Sequence, residues 1–465
     1  MKINMYLDKW RDGFDLFRDD KPFYQMASFA TKKPISVNRL VTEYASGNNA
    51  TLFDHSGDDV EVEWSPAQAT KKLIACQSFA LGFGKSGKAT INGVDEELPY
   101  STDAIALRGM NVWLQGKSLF ETLMINLDLV SSEDNSLPPW ELENSNEYRD
   151  RLQGKGRKSV KASGVVDHLT WQSRLVRLIS KNSTISQMYF TQGRSADKFS
   201  DDPMKVYRTS KKEEKYPLSL SSDKTAWRDS HSILMIPNAQ RKERRPECFN
   251  LVARAHSAAV INTSQPFVTH IVGLATVPKK AGKFLLWRHE RLPIPAALLS
   301  DVNLIERLGL LLESAEYAAG ELDNRTRRIA KLYLSPNCES SGGRQPDKGD
   351  VAKVVEAIDP RHAYWARLEE YFFKLLVNLP NDWDEANEAW KPDDQQAATS
   401  AWRKHIKREA EWALQESIRA LGTTARAIQA IARVRTDFTN EDLKPATLEK
   451  QQKNKKRKAK GGKKK

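Results

Sequence analysis

Apolar residues recur at helical spacing in some stretches of this chain and alternate with polar residues in others, and the change between the two patterns divides it. Ser65-Pro66-Ala67-Gln68 spells a capping box with proline at the first helical position. Ala69, Leu73, Ile74, Gln77, Phe79 and Leu81 carry that helix on until Gly82 ends it. Nearer the start, Tyr6, Leu7, Trp10, Phe14 and Phe17 share helical spacing, Lys21–Gln25 reads as extended, and Val37, Leu40, Val41 and Tyr44 line a short helix stopped by Gly47. Met110–Gln115 predicts a strand, followed by a second capping box at Ser118-Leu119-Phe120-Glu121 that opens a helix through Leu127. Residues 131–165 are polar and read as a connection with little order of its own. Alternation at Leu175, Arg177 and Ile179, and again over Ile185–Phe190, predicts strands. Val268–Val277 and Phe284–Arg288, joined by Pro278–Lys283, predict a hairpin with a basic tip.

At Leu292-Pro293-Ile294-Pro295 strands give way to long amphipathic helices, the first carrying Leu298, Val302, Ile305, Leu308, Leu312, Ala315, Ala319 and Leu322. Helical patterns at 361–378, 396–421 and Gly422–Phe438 complete the element count of a four-helix bundle. The expected fold is therefore α+β: a mixed N-terminal domain with β-hairpins over 1–294, a helical bundle over 295–440, and a disordered lysine-rich tail over 441–465.

At 465 residues and 40% hydrophobic content, the chain has material for two or three domains. No apolar stretch reaches membrane-spanning length, and Met1–Phe17 is charged and aromatic instead of carrying a signal peptide's apolar core, so a cytoplasmic protein without membrane contact is expected. Cys76, Cys248 and Cys338 lie far apart without metal-ligand spacing and read as buried thiols. The net charge of +13 is concentrated: residues 453–465 hold nine Lys/Arg and no acid, leaving about +4 elsewhere. Such a tail binds polyanions without sequence preference.

The run Gly82-Phe83-Gly84-Lys85-Ser86-Gly87-Lys88 nearly spells a P-loop, but a helix is predicted before it where a strand is needed, and Ala89 follows Lys88 where a magnesium-binding hydroxyl belongs. It reads instead as an exposed, flexible, basic turn whose small residues admit close approach of a nucleic-acid backbone, the plain alternative being a solvated loop. Asp229-Ser230-His231 and Arg288-His289-Glu290 are tempting as chemistry, yet neighbours on a strand face opposite ways, and structural hydrogen bonding is the better reading. Trp365, Trp390, Trp402 and Trp412 sit at helical spacing and read as packing. No catalytic set, metal site or cofactor site assembles. Three turns, Asn49–His55, Gly82–Lys88 and Pro278–Lys283, present small, amide or basic residues of the kind that enter a minor groove.

Several strings together resemble the CasA family, the large subunit of the type I-E CRISPR Cascade complex. They are Trp10–Phe17 with Pro22–Gln25, Gly47–His55, Gln77–Lys88, Leu114–Leu123, Leu169–Arg174, Asp202–Lys205, Ala226–His231, Arg245–Glu247 and Trp287–Pro293, spread over roughly 7–295 in family order. The resemblance implies a non-catalytic subunit. It would read the short protospacer-adjacent motif in double-stranded DNA, help begin strand separation and R-loop formation, and recruit the helicase-nuclease, while base pairing with the guide RNA supplies the long specificity. Its implied partners are the other Cascade subunits, the guide RNA, target DNA and that helicase-nuclease, with no cofactor.

By position, Gly82, Gly84, Lys85, Gly87 and Lys88 resemble the family's glycine loop at the flanking motif. Asn49, Phe53, Asp54 and His55 resemble the loop that anchors the subunit near the guide's 5′ end. Lys279, Lys280 and Ala281 fall at the turn resembling its wedge, and one lysine among Lys211, Lys212 and Lys215 matches a minor-groove lysine. Some relatives place a glutamine at the wedge tip where this chain has Pro278-Lys279-Lys280-Ala281, so a charged tip that grips phosphate is the alternative. Family members usually begin with a further N-terminal segment, whose lack would leave apolar surface uncovered. Two other readings compete: a nucleotide hydrolase built on the near-P-loop, and a scaffold binding nucleic acid only through its tail.

Overall fold

The structure is a computed structural model. It describes residues 2–41, 62–82, 84–85, 87–98, 100–127, 136–142, 159–197, 202–210, 212, 214–237, 243–261, 266–276 and 284–443. It is α+β, as the patterns predict, with helices dominating the C-terminal part. Two compact units divide the chain: Met1–Ala226, Ile236–Leu251 and Thr269–Arg291 form one, and Trp227–Met235, Val252–Val268 and Leu292–Lys465 the other. The second unit thus draws in two segments from before residue 294.

The strands of the mixed half are β1 (Phe29–Thr31), β2 (Ile35–Ser36), β3 (Gly84–Lys85), β4 (Lys88–Ile91), β5 (Val94–Glu97), β6 (Tyr100–Ser101), β7 (Asn111–Gln115), β8 (Arg174–Lys181), β9 (Thr184–Gln192), β10 (Tyr207–Thr209), β11 (Lys215–Pro217), β12 (Phe267–Thr276) and β13 (Phe284–Ile294). They make small sheets in the orders β1-β4-β5, β2-β9-β8 and β13-β12-β7, with β3–β6 and β10–β11 as pairs. The β8–β9 and β4–β5 connections are two-residue turns with both central φ positive, Asn182 at 50° and Ser183 at 62°, Asn92 at 49° and Gly93 at 80°. That geometry matches the right-handed twist of the strands it joins.

The first capping box forms as read: Ser65 Oγ accepts from the Gln68 N–H at 3.3 Å while the Gln68 side chain accepts from the Ser65 N–H at 2.9 Å. Its helix, Pro66–Phe79, buries Ala69, Leu73 and Cys76 in one cluster with Val176, Leu178, Ile185 and Met188 of the β8–β9 hairpin. The N-terminal helical pattern divides into a helix, Lys2–Lys9, and a 3₁₀ turn, Arg11–Phe14. Lys21–Gln25 is a turn instead of an extended segment, with Tyr24 at φ 55°. Tertiary contacts override the local preference there: Phe23 and Tyr24 pack on Trp140, and the Gln25 side chain donates to Leu16 O at 2.8 Å and accepts from Leu178 N–H at 2.7 Å.

In the second unit the helix Val302–Leu334 runs well past Leu322, the last position of its apolar sequence pattern. Asp301 starts it by accepting from the Asn303 N–H at 2.7 Å. It packs against Arg361–Asn378, Ala397–Ile418 and Ala425–Ala432, the helices the periodicity predicts. A further helix, Lys348–Ala357, is not among the predicted elements, although Val351, Val354, Val355 and Ile358 stand at helical spacing. Asp347 caps it through Gly349 and Asp350 N–H groups, and Val351 and Val355 lie in a cluster with Ala330.

Trp402 is buried with its Nε1 donating to Leu311 O at 3.0 Å, Arg228 stacks 3.7 Å from Trp365, Arg367 lies 4.0 Å from Trp412, and Trp390 meets Trp383 edge to face. These tryptophans pack, as their spacing suggests. All three cysteines are buried and free, and burial pushes the Cys76 and Cys248 thiols up to about 11 and about 12.

Candidate nucleic-acid interface

The segment Gly82–Lys88 leaves the end of the helix Pro66–Phe79, where backbone carbonyls have no intrahelical partner. Arg174, the first residue of β8, lies just beyond that end and bonds the two carbonyls that follow the helix, the first of which also accepts from the Ala104 N–H at 2.8 Å. Its side chain is 1% exposed, and Nη2 donates to Ala80 O at 3.1 Å, Leu81 O at 2.9 Å and Thr102 O at 2.9 Å. Nη1 reaches Ser173 O at 2.8 Å and Gln192 Oε1 at 3.1 Å. Gln192 Oε1 also accepts from the Thr102 N–H at 2.9 Å, and Gln77 exchanges two hydrogen bonds with the Arg174 backbone, at 2.8 and 2.9 Å. Burial pushes the guanidinium down to about 10, which leaves it charged at neutral pH. A cation at a helix C-terminus is favourably placed against the helix dipole.

Beyond this root the chain runs close to its neighbour. The Gly82 N–H donates to Asp103 Oδ1 at 2.9 Å, and a Cβ on Gly82 would stand 2.9 Å from Ser101 O, so only glycine fits without displacement. Gly84 and Lys85 then pair antiparallel with Ser101 and Tyr100. This corrects the expectation of a flexible turn: the backbone at these two residues is a short strand. Gly87 is exposed at φ 78° with open space where a side chain would project, and exposed Lys88 begins β4 opposite Glu97. β5 adds Asp95 and Glu96 beside it, so the basic character of the segment is largely offset locally.

Among the described residues a helix precedes the run and strands occupy and follow it, the reverse of what a P-loop needs, and no helix begins there to cradle phosphates. Among the described residues no group of three or more His, Cys, Asp or Glu is placed to hold a metal, and no helix is long and apolar enough to cross a membrane.

The other expected contact residues fall elsewhere. Lys212 is exposed on the β10–β11 turn, with its N–H donating to Ser210 Oγ, and Lys215 opens β11 with Nζ 4.5 Å from the Tyr207 ring centroid. That pair of strands is separate from the sheets holding Gly84, Lys85 and Lys88. Lys211, the turn containing Lys279, Lys280 and Ala281, and the loop containing Asn49, Phe53, Asp54 and His55 lie outside the described residues.

The strands leading to the Lys279 turn are described, and they share a stacked aromatic group. Trp113 of β7 lies flat on His270 of β12 at 4.7 Å, His270 Nδ1 meets His289 Nε2 of β13 at 2.7 Å, and His270 Nε2 meets Gln115 Oε1 at 2.7 Å. Burial, then His289 and Arg291, hold the His270 ring below the ordinary imidazole range. Glu290 pairs with Arg288 at 2.9 Å and accepts from the Ala226 N–H, so the Arg288–Glu290 string serves structure. In Asp229–His231, Ser230 donates to Trp227 O and His231 packs on Gly309.

Sequence reasoning missed Arg174, Gln77, Gln192 and Asp103 as parts of the site. They come from four separate stretches, and the only local signal for the strand hairpin beside them was Asn92-Gly93. Other strings that carried the resemblance also acquire structural roles. Arg194 pairs with Asp167 at 2.6 Å and stacks 3.7 Å from Trp171. Although burial alone pushes the Asp202 carboxyl up, Lys205 and His168, at 3.2 and 3.0 Å, hold it well below the usual carboxylate range.

The fold and these strings place the chain among CRISPR-associated proteins. The family model for the CRISPR-associated protein Cse1 matches residues 1–413, and the chain belongs to that family. The CRISPR-associated protein CasA/Cse1 of Thermus thermophilus is 27% identical over 441 residues, covering 94% of this chain and 80% of the relative. The crystal structure of Thermus thermophilus CasA superposes with a TM-score of 0.70 at 23% identity, covering 93% of this chain and 80% of that one. One chain of a structure described as a CRISPR RNA-guided surveillance complex gives a TM-score of 0.67 at 20% identity, again over 93% and 80%.

Proposed function

We propose that this chain is the large subunit of a type I-E CRISPR surveillance complex, a cytoplasmic, DNA- and RNA-contacting protein without enzymatic turnover. In this reading residues 1–294 contact nucleic acid and residues 295–440 form the helical bundle, with the lysine-rich tail as a disordered addition. The Gly82–Lys88 segment reads the protospacer-adjacent motif in the duplex, and the turn at Lys279, Lys280 and Ala281 helps part the first base pairs. The Asn49–His55 loop anchors the subunit near the guide RNA, and one of Lys211, Lys212 and Lys215 lies in the minor groove. The assembled subunit receives the helicase-nuclease. Family membership and the likeness to a chain of a surveillance complex support it.

The observation that carries the reading is the glycine segment itself: backbone anchored at one end by Arg174 and Asp103, and open at Gly87 and Lys88. With Asp95, Glu96 and Glu97 beside Lys88, such a segment favours close backbone approach and groove shape over charge attraction. Co-expression with the remaining subunits and a guide RNA, followed by binding of matched targets that differ only in the flanking motif, tests the reading. Co-purification with motif-dependent binding upholds it. Exclusion from the complex, with equal and steeply salt-dependent binding to every DNA, overturns it in favour of a tail-driven polyanion binder.

A further inference from the structure

We propose that Arg174 is the positioning residue of the Gly82–Lys88 segment: its buried guanidinium ties the carbonyls that lead into the segment to the carbonyl that leaves the partner strand, and so sets where the glycine backbone stands against duplex DNA. The inference rests on the reading that this segment contacts the flanking motif.

Burying a guanidinium is costly, and an apolar side chain of similar volume would fill the space with less desolvation. What arginine supplies is a planar fork of five donors in fixed geometry. Here that fork spans three parts of the chain at once. Ala80 O and Leu81 O lie on the way into the segment, Thr102 O directly follows β6, and Gln192 Oε1 joins the guanidinium to the Thr102 N–H. β3 and β6 are two residues each, too short to hold their own register, so their separation and twist are set at this root. Lysine keeps the charge but presents one nitrogen without the fork, and cannot reproduce the span. A segment that reads DNA by close backbone approach depends on placement to within a fraction of an ångström, so a looser root costs discrimination before it costs binding.

The experiment uses the complex assembled with its guide RNA and compares wild type, Arg174→Lys, Gln192→Leu and Gly84→Val. Two quantities are read: the ratio of affinities for matched targets with and without the flanking motif, and amide hydrogen exchange. Arg174→Lys is expected to lower the ratio at least tenfold while affinity for the motif-less target stays within twofold. Exchange at the Gly82 and Thr102 amides should quicken at least tenfold, and at Val176 and Leu178 of the same strand it should not change.

An unchanged ratio in Arg174→Lys, alongside a ratio abolished in Gly84→Val, overturns the role of Arg174 and leaves the reading of the segment intact. A ratio unchanged in Gly84→Val removes the reading and, with it, the role of Arg174. If Arg174→Lys does not fold, Gln192→Leu decides, since it loosens the Thr102 end while keeping the guanidinium. A ratio lowered three- to fivefold supports the proposal, and an unchanged ratio overturns it.

Discussion

Arg174, Gln77 and Gln192 at the root of the glycine segment are buried, as is the aromatic centre of the helical unit, yet the two regions are held by opposite means. Around Trp402 and Phe372 the contacts are aromatic and aliphatic: Phe372 lies 4.7 Å from the Trp227 ring and 5.7 Å from Trp402, with no exposed surface. Around Arg174 they are hydrogen bonds that it donates to Gln77, Gln192 and backbone carbonyls. Apolar packing is non-directional and proportional to area, so it tolerates adjustment and contributes most of the stability. A buried polar network contributes less net free energy but fixes positions, because each donor and acceptor must be met at a set distance. The difference assigns stability to one region and placement to the other.

The contrast breaks first at Phe372. Phe372→Ala is expected to cost about 3–5 kcal/mol in denaturant unfolding, and a loss below about 1 kcal/mol would show that the helical unit is not the stable one. Gln77→Leu removes the amide that exchanges hydrogen bonds with the Arg174 backbone and is expected to cost about 1–3 kcal/mol. If it cost as much as Phe372→Ala, the polar root would be a main source of stability and the contrast would collapse.

A smaller effect follows pH at the hairpin strands. His270 is held below its unfolded value, so the unfolded chain binds more protons than the folded one as pH falls below about 6.5, and stability declines in that direction. Above that range both forms are neutral and the pair with His289 is intact. Trp113 fluorescence should therefore change on acidification below about pH 6.5, and His270→Gln should flatten the response; a response that survives the substitution assigns the titration to another group.

The smallest effect is expected at Lys88. With Glu97 opposite it, Lys88→Ala should change stability by less than about 0.5 kcal/mol. It should lower target affinity less than about threefold, with a salt slope altered by less than about 1. A larger slope would return the segment to a phosphate-gripping role.

What was legible in the sequence follows the same division. The helices at 361–378 and 397–418, and Val302–Leu334 as far as Leu322, were readable because burial of a stripe repeats every three to four residues, and the helix at 66–79 because its cap is local. The short helix Lys348–Ala357 was overlooked although its signal is local, since Val351, Val354, Val355 and Ile358 stand at helical spacing behind the Asp347 cap. The departure of the near-P-loop from a true P-loop was legible in its neighbours alone, and the family strings pointed to the family the chain belongs to.

The sequence did not disclose that Lys21–Gln25 turns, since Phe23 and Tyr24 are drawn to Trp140 more than a hundred residues away. Nor did it disclose that Gly84 and Lys85 form a strand, which requires Tyr100 and Ser101 as partners. Sequence by itself determined the periodic and capped elements, whose causes lie within a turn or two of chain. Only the tertiary structure decided the root of the glycine segment, because hydrogen bonds from Arg174 to Ala80, Leu81 and Thr102 are specified by distance in space and leave no period along the chain.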